Sequence, residues 1–292
     1  MQTSLTSRDP YVVWQGDSDG PIKIGSQEHK ELTCRMFLDT FDPYKPAVID
    51  WPKLDDEALK RLTSLPFWHL AVTTEGVAAA HMNAIAEDSE DPLIREAIAL
   101  NAFEEKRHKY VLEHMIKFYG IEIGEEPAYP RPPNTEWAYL KTGYGECFDS
   151  FFAFGLFKLA KDSGFFPMEL VEVFEPVIQE EARHILFFAN WQAYMRAHKP
   201  FLPSLRFTAQ SVYAVVHRAF SRLKLARDGN NNSSMTIDGH KNMNIDISPR
   251  GFMELCLQEN ERRMAGYDSR LLRPQVVPWL VKMFCPLLGK KP

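Results

Sequence analysis

The chain has 292 residues, 45% of them apolar, with a net charge of −5 and a pI near 6.0. That is enough apolar material for a sizeable core in one large domain or two small ones, and too few surplus cations to neutralise a phosphate backbone, so nucleic acid is excluded as principal partner. The four cysteines form no C-x-x-C pair, the N-terminus lacks a basic-then-apolar leader, and no apolar run reaches the roughly 20 residues of a membrane span; the expectation is a cytoplasmic protein without a spanning helix.

Residues 1–54 mix Pro, Gly and Asp with one short amphipathic piece around EHKELTCRMFL, and read as an N-terminal arm packing on something larger. Beyond them the period is helical. DDEALKRLTSL can start at Asp55, and Pro66 interrupts it and opens a longer segment, PFWHLAVTTEGVAAAHMNAIAED. Asp91 and Pro92 suit the cap and first turn of a second long helix, which runs through LIREAIALNAFEEKRHKYVLEHMIKFY and stops at Gly120. GEEPAYPRPPN cannot be helical, and its length fits a crossover spanning a bundle. Asn134 or Thr135 caps a third helix to about Gly164, and Pro167 starts a fourth that reaches about His198. The third and fourth are apolar around most of their circumference, which predicts an interior position.

Residues 55–200 therefore read as a four-helix bundle, and residues 201–292 as a helical extension of the same domain. The extension offers a fifth helix, SLRFTAQSVYAVVHRAFSRLKLAR, then a polar loop and two shorter helices, the last a packed or surface-lying one between Pro274 and Leu288. Arg218, Arg222, Lys224 and Arg227 fall at helical spacing and read as a solvated basic face. No strand signal exceeds a few residues. The fold class is all-α.

One feature stands out from this background. Glu104-Glu105-Lys106-Arg107-His108 and Glu180-Glu181-Ala182-Arg183-His184 spell the word E-E-x-R-H twice. Residues three apart share a helix face, so Glu105 with His108, and Glu181 with His184, each aim a carboxylate and an imidazole the same way. A Glu-x-x-His pair alone is weak, since chance supplies about one in such a composition; a second copy of the longer word arises by chance in on the order of one in several hundred chains. The second copy is also embedded in FEPVIQEEARHILFFANW, where ionised groups need a partner or a cation. Carboxylate metal sites in four-helix bundles take one Glu from each of two further helices. The inward candidates are Glu75, 30 residues before Glu105, and Glu146, 35 before Glu181, with Asp149 as the rival to Glu146.

Glu75, the word at 104–108, Glu146 and the word at 180–184, in that order, resemble the ferritin-like di-iron carboxylate superfamily, which includes ribonucleotide reductase small subunits, bacterial multicomponent monooxygenases, rubrerythrins and aldehyde-deformylating oxygenases. The likeness covers about Pro66 to His198. It implies a ferritin-like bundle in which Glu75, Glu105, His108, Glu146, Glu181 and His184 bind two iron ions, or one manganese and one iron, with some carboxylates bridging. It further implies that Glu104, Arg107, Glu180 and Arg183 support the ligand imidazoles, and that Ser150 stands near the oxygen-binding face, where a packing hydroxyl is the plainer reading.

The expected function is a di-iron oxidoreductase that activates O2 to oxidise a small, largely apolar molecule. The alternatives are a ferroxidase or peroxidase of the ferritin and rubrerythrin kind, a radical-generating subunit and a metal-free helical interaction protein. No cysteine pair exists for a rubredoxin iron, and the position seven after Glu105, where a radical tyrosine would stand, is Leu112. Without a G-x-G-x-x-G fingerprint, reducing equivalents are expected from a separate electron-donor protein; a homodimer is compatible with the resemblance. Phe148, Phe151, Phe152, Phe154 and Phe157 read as core that can also wall a substrate pocket. His69, His81 and His114 lie at offsets that point away from the ligands.

Overall fold

The computed structural model describes residues 11–228 and 247–287, and among them it contains helices and no β-strand. The N-terminal arm carries α1 (Gln27–Asp39), whose first turn is closed by the Ser26 side chain accepting from the His29 N–H. Asp55 caps α2 (Asp56–Thr63) in the same way. The long helices follow: α3 (Trp68–Asp88), α4 (Pro92–Tyr119) and α5 (Thr135–Ser163). Asp91 caps α4 through two N–H groups ahead of Pro92, and Gly120 and Gly164 end α4 and α5 in the left-handed conformation that suits a residue without Cβ.

The expected fourth helix is two. A short α6 (Met168–Val173) stops at Phe174, and α7 (Glu175–His198) begins there. The reason is Pro176: in one continuous helix it would lack an N–H and clash with the carbonyl four residues back, whereas the first turn of a new helix accommodates it. The fifth helix, α8 (Phe201–Asp228), starts three residues earlier than expected, with Pro203 likewise near its beginning. The chain closes with α9 (Pro249–Met264) and α10 (Val276–Phe284). Most of the polar loop after α8 lies outside the described residues.

Helices α3, α4, α5 and α7 form the bundle. α3 packs along α4 and α5, and α7 packs on both α5 and α4, so each helix touches two others and the pairs α3/α7 and α4/α5 stand diagonally opposed. The segment 121–134 thus crosses between diagonal corners, as its length predicts. Close approach on one side depends on glycine: a Cβ at Gly143 of α5 would lie 2.2 Å from the Phe188 ring of α7. The phenylalanines of α5 and α7, including Phe151, Phe154, Phe187 and Phe188, make the core with Phe37 of α1.

The C-terminal helices have a clear place. α8 and α9 both lie against α5, and α1 covers α7 and α4. The N-terminal arm reaches the C-terminal extension, with the Trp14 N–H donating to the Gly266 carbonyl at 3.0 Å. Among the described residues no helix is long and apolar enough to cross a membrane.

Candidate metal centre

Both copies of the word lie mid-helix, the first on α4 and the second on α7, and the packing of these helices turns the words toward each other. One donor atom from each of Glu105, His108, Glu181 and His184 falls within 4.8 Å of the others. The imidazoles lie 5.4 Å apart, nearly stacked at 26°. The closest contacts are between the two words: His184 Nδ1 is 2.7 Å from Glu105 Oε1, and His108 Nδ1 is 3.3 Å from Glu181 Oε1.

The two acids inferred from the other helices join this set. Glu75 of α3 brings Oε2 to 3.8 Å from His108 Nδ1 and interacts with Glu105 and Glu181. Glu146 of α5 interacts with Glu105, Glu181, His184 and Glu75. Glu105, His108, Glu181 and His184 thus converge within 4.8 Å, and the acids inferred from α3 and α5, Glu75 and Glu146, act on them electrostatically. Asp149, the rival, is bound instead by Arg218 and, at 2.5 Å, by Arg222. These two arginines consequently face α5, which corrects the reading of a solvated basic face; the side chains of Lys224 and Arg227 lie outside the described residues.

Each imidazole is oriented by its other nitrogen, and here the words are exchanged. His184 Nε2 meets Glu104 at 2.9 Å, and His108 Nε2 meets Glu180 at 2.8 Å. The arginines follow the same crossing: Arg183 pairs with Glu104 and Arg107 with Glu180. The supporting groups in each word thus serve the histidine of the other. Carboxylates at Nε2 fix the tautomer and leave Nδ1 facing the centre.

The N-terminal arm takes part in a way the sequence did not foretell. Arg107 donates to the Asp42 carbonyl at 2.6 Å and lies 3.9 Å from the centre of the Tyr44 ring, whose hydroxyl donates to Glu180 at 3.3 Å. Arg183 reaches the Phe37 carbonyl and the Thr40 hydroxyl, both at 3.4 Å, and lies 4.6 Å from the centre of the Phe37 ring. No motif signals such residues; aromatic and carbonyl partners of a buried arginine are too common in composition to be singled out. Ser150 donates to Glu181 at 2.8 Å, so it touches the site as well as packing the helix. His81 is occupied by Thr142 at 2.8 Å, and His69 and His114 are exposed, as their offsets predict.

The electrostatics expose an imbalance. Burial pushes the Glu75 and Glu146 carboxyls well above the usual range, reinforced by Glu105 and Glu181. Burial opposes charge on the two imidazoles, but their carboxylate neighbours outweigh it: His108 is raised well above its ordinary value and His184 to about 10. Glu104 goes the other way, to about 2, because His184 and Arg183 overcome its burial. The outer carboxylates are paired with arginines, whereas in the inner set Glu105 and Glu181 face the two imidazoles and further acids. Both oxygens of Glu146 are buried without a hydrogen-bond partner, although native interiors satisfy nearly all such atoms. Oxygen and imidazole donors converging in this way fit a hard or borderline cation such as iron or manganese.

No protein-family model, curated protein or solved structure matches the chain.

Proposed function

We propose that the protein is an oxidoreductase of the ferritin-like di-iron kind, which holds two iron ions, or a manganese and an iron, and uses O2 to oxidise a small, largely apolar substrate. The observation that supports it best is the convergence of buried donor atoms from Glu105, His108, Glu181 and His184 within 4.8 Å, between two crossed carboxylate–imidazole–arginine supports and with both buried oxygens of Glu146 left unpartnered. A purely structural ion network would leave no reason for two acids, Glu75 and Glu146, to be placed against two more without a cation of their own.

In this reading Glu75, Glu105, His108, Glu146, Glu181 and His184 would together hold the two metal ions. The bound pair would supply redox equivalents and Lewis acidity for the reduction of O2. The residues of the chain do the rest. Glu104 and Glu180 hold each Nε2 and so keep each Nδ1 pointed inward, and Arg183 and Arg107 pair with those carboxylates. Ser150 fixes one oxygen of Glu181 and so limits its swing. The fully buried Phe151 and Phe154 help form a dry interior beside the site, and reducing equivalents come from a separate protein.

Protein from iron- and manganese-supplemented cells is expected to carry about two equivalents of metal, and a Glu105→Ala/His184→Ala variant to lose them. Substrate-dependent O2 consumption by the reduced protein separates the oxygenase from a ferroxidase, which would consume O2 with Fe(II) alone. Less than about half an equivalent in the wild type rejects the metal reading and the enzyme with it.

A further inference from the structure

Helix α8 is folded onto α5 by one face only. Phe207, Ser211 and Ala214 are 1–5% exposed, and Arg218 continues that line by binding Asp149. The opposite face is apolar and open. Along it Leu202, Leu205, Ala209, Val212 and Val216 follow one another at alternating steps of three and four, the spacing of a helix-pairing seam, with alanine at one position where a second helix can come close. Phe201, Tyr213 and Phe220 flank the seam at 60–75% exposure.

We infer that this face of α8 is the interface of a homodimer, occupied by α8 of a second copy of the chain. Seven large apolar side chains on it are 45–75% exposed. At about 100 Å² each they present about 700 Å², more than the largest apolar patch usual on a monomer (about 300–600 Å²). Paired with itself, the face would bury about 1,400 Å², inside the range of roughly 1,200–2,000 Å² that stable interfaces need. Charge permits self-contact, since no ionisable residue interrupts the seam. The same observation disfavours a lipid surface. A helix lying in a bilayer interface flanks its apolar face with several free cations, whereas among the described side chains of α8 Arg218 and Arg222 are turned inward and held by Asp149, and Arg206 is the one exposed arginine. The inference concerns α8 alone and stands whether or not the centre binds metal.

Sedimentation equilibrium of the full chain at 1–50 μM is expected to give twice the 33.7 kDa of one chain. A Val212→Glu/Val216→Glu variant should sediment at 33.7 kDa with an unchanged far-UV circular dichroism spectrum, because both positions are exposed in the single chain. Val48→Glu, exposed on the N-terminal arm away from the seam, should leave the doubled mass intact. A wild type of single mass throughout the concentration range overturns the inference. So does a variant that keeps the doubled mass, and so does a monomer that pellets with phosphatidylserine vesicles and is released from them by the double substitution.

Discussion

Replacing Glu146 with leucine separates a metal ligand from a structural acid, because the two roles predict opposite signs for the metal-free protein. Both Glu146 oxygens are buried without a partner, and Glu105 and Glu181 add repulsion to the desolvation of its charge. An unsatisfied buried polar group costs about 1–3 kcal/mol, and leucine has a similar volume without that cost. For a chain of this size about 1 kcal/mol moves the unfolding midpoint by roughly 2–4 °C. The metal-free variant should therefore melt roughly 2–12 °C above the metal-free wild type. Adding iron(II) under nitrogen should reverse the order. At a free concentration about 100 times its dissociation constant, a ligand stabilises the native state by about 2.7 kcal/mol, and the wild type should gain most of this while the variant gains little. The assay is thermal unfolding followed by circular dichroism, with and without metal, on both proteins. A metal-free variant that melts lower than the wild type, together with an undiminished shift on adding metal, would refute the reasoning, because Glu146 would then be stabilising the fold through contacts of its own.

Metal affinity should rise with pH across the neutral range. Glu75 and Glu146, held above the usual carboxyl range, and His108 and His184, raised in the same way, keep their protons to higher pH in the metal-free protein, and a cation must displace the protons they hold. Calorimetric titration in buffers of different ionisation enthalpy should count several protons released, and a count near zero would contradict it. Glu104→Leu should destabilise the metal-free protein by about 3–5 kcal/mol in urea unfolding, since it strands Arg183 in the core; Glu104→Leu/Arg183→Met should recover much of the loss, and strict additivity of the two substitutions would show that the pair is not coupled. Gly143→Ala places a Cβ 2.2 Å from the Phe188 ring, so an overpacking loss of about 1–3 kcal/mol is expected in the same assay, unless α5 and α7 can move apart.

What the sequence carried, it carried through local rules. Asp91 before Pro92, Asn134 before the third helix and glycine after Tyr119 act within a few residues of themselves, and the helix limits they imply are those observed. The convergence of Glu105, His108, Glu181 and His184 was legible for a related reason: a helix face has a fixed period, so Glu105 and His108 must point together wherever the helix lies, and a second identical face in an apolar context suits a place opposite the first. Pro176 was overlooked because a proline nine residues after Pro167 also fits one helix with an early kink, and only the break at Phe174 decides between them. The exchange of supports between the words is a property of which helix faces which. Period fixes the direction of Glu104 relative to its own axis and says nothing of whether His108 or His184 lies across the gap. Asp149 and the arginines of α8 are the same case in reverse. Spacing alone made Arg218 and Arg222 a row on one side of a helix, and whether that side meets water or α5 was set by Asp149, 69 residues away from Arg218 in the chain. Within α8, however, the opposite face can be deduced once the first is known: if Arg218 turns in with Phe207 and Ala214, then Leu205, Val212 and Val216 must turn out, and the apolar surface that results is a consequence of holding α5 in place beside Glu146.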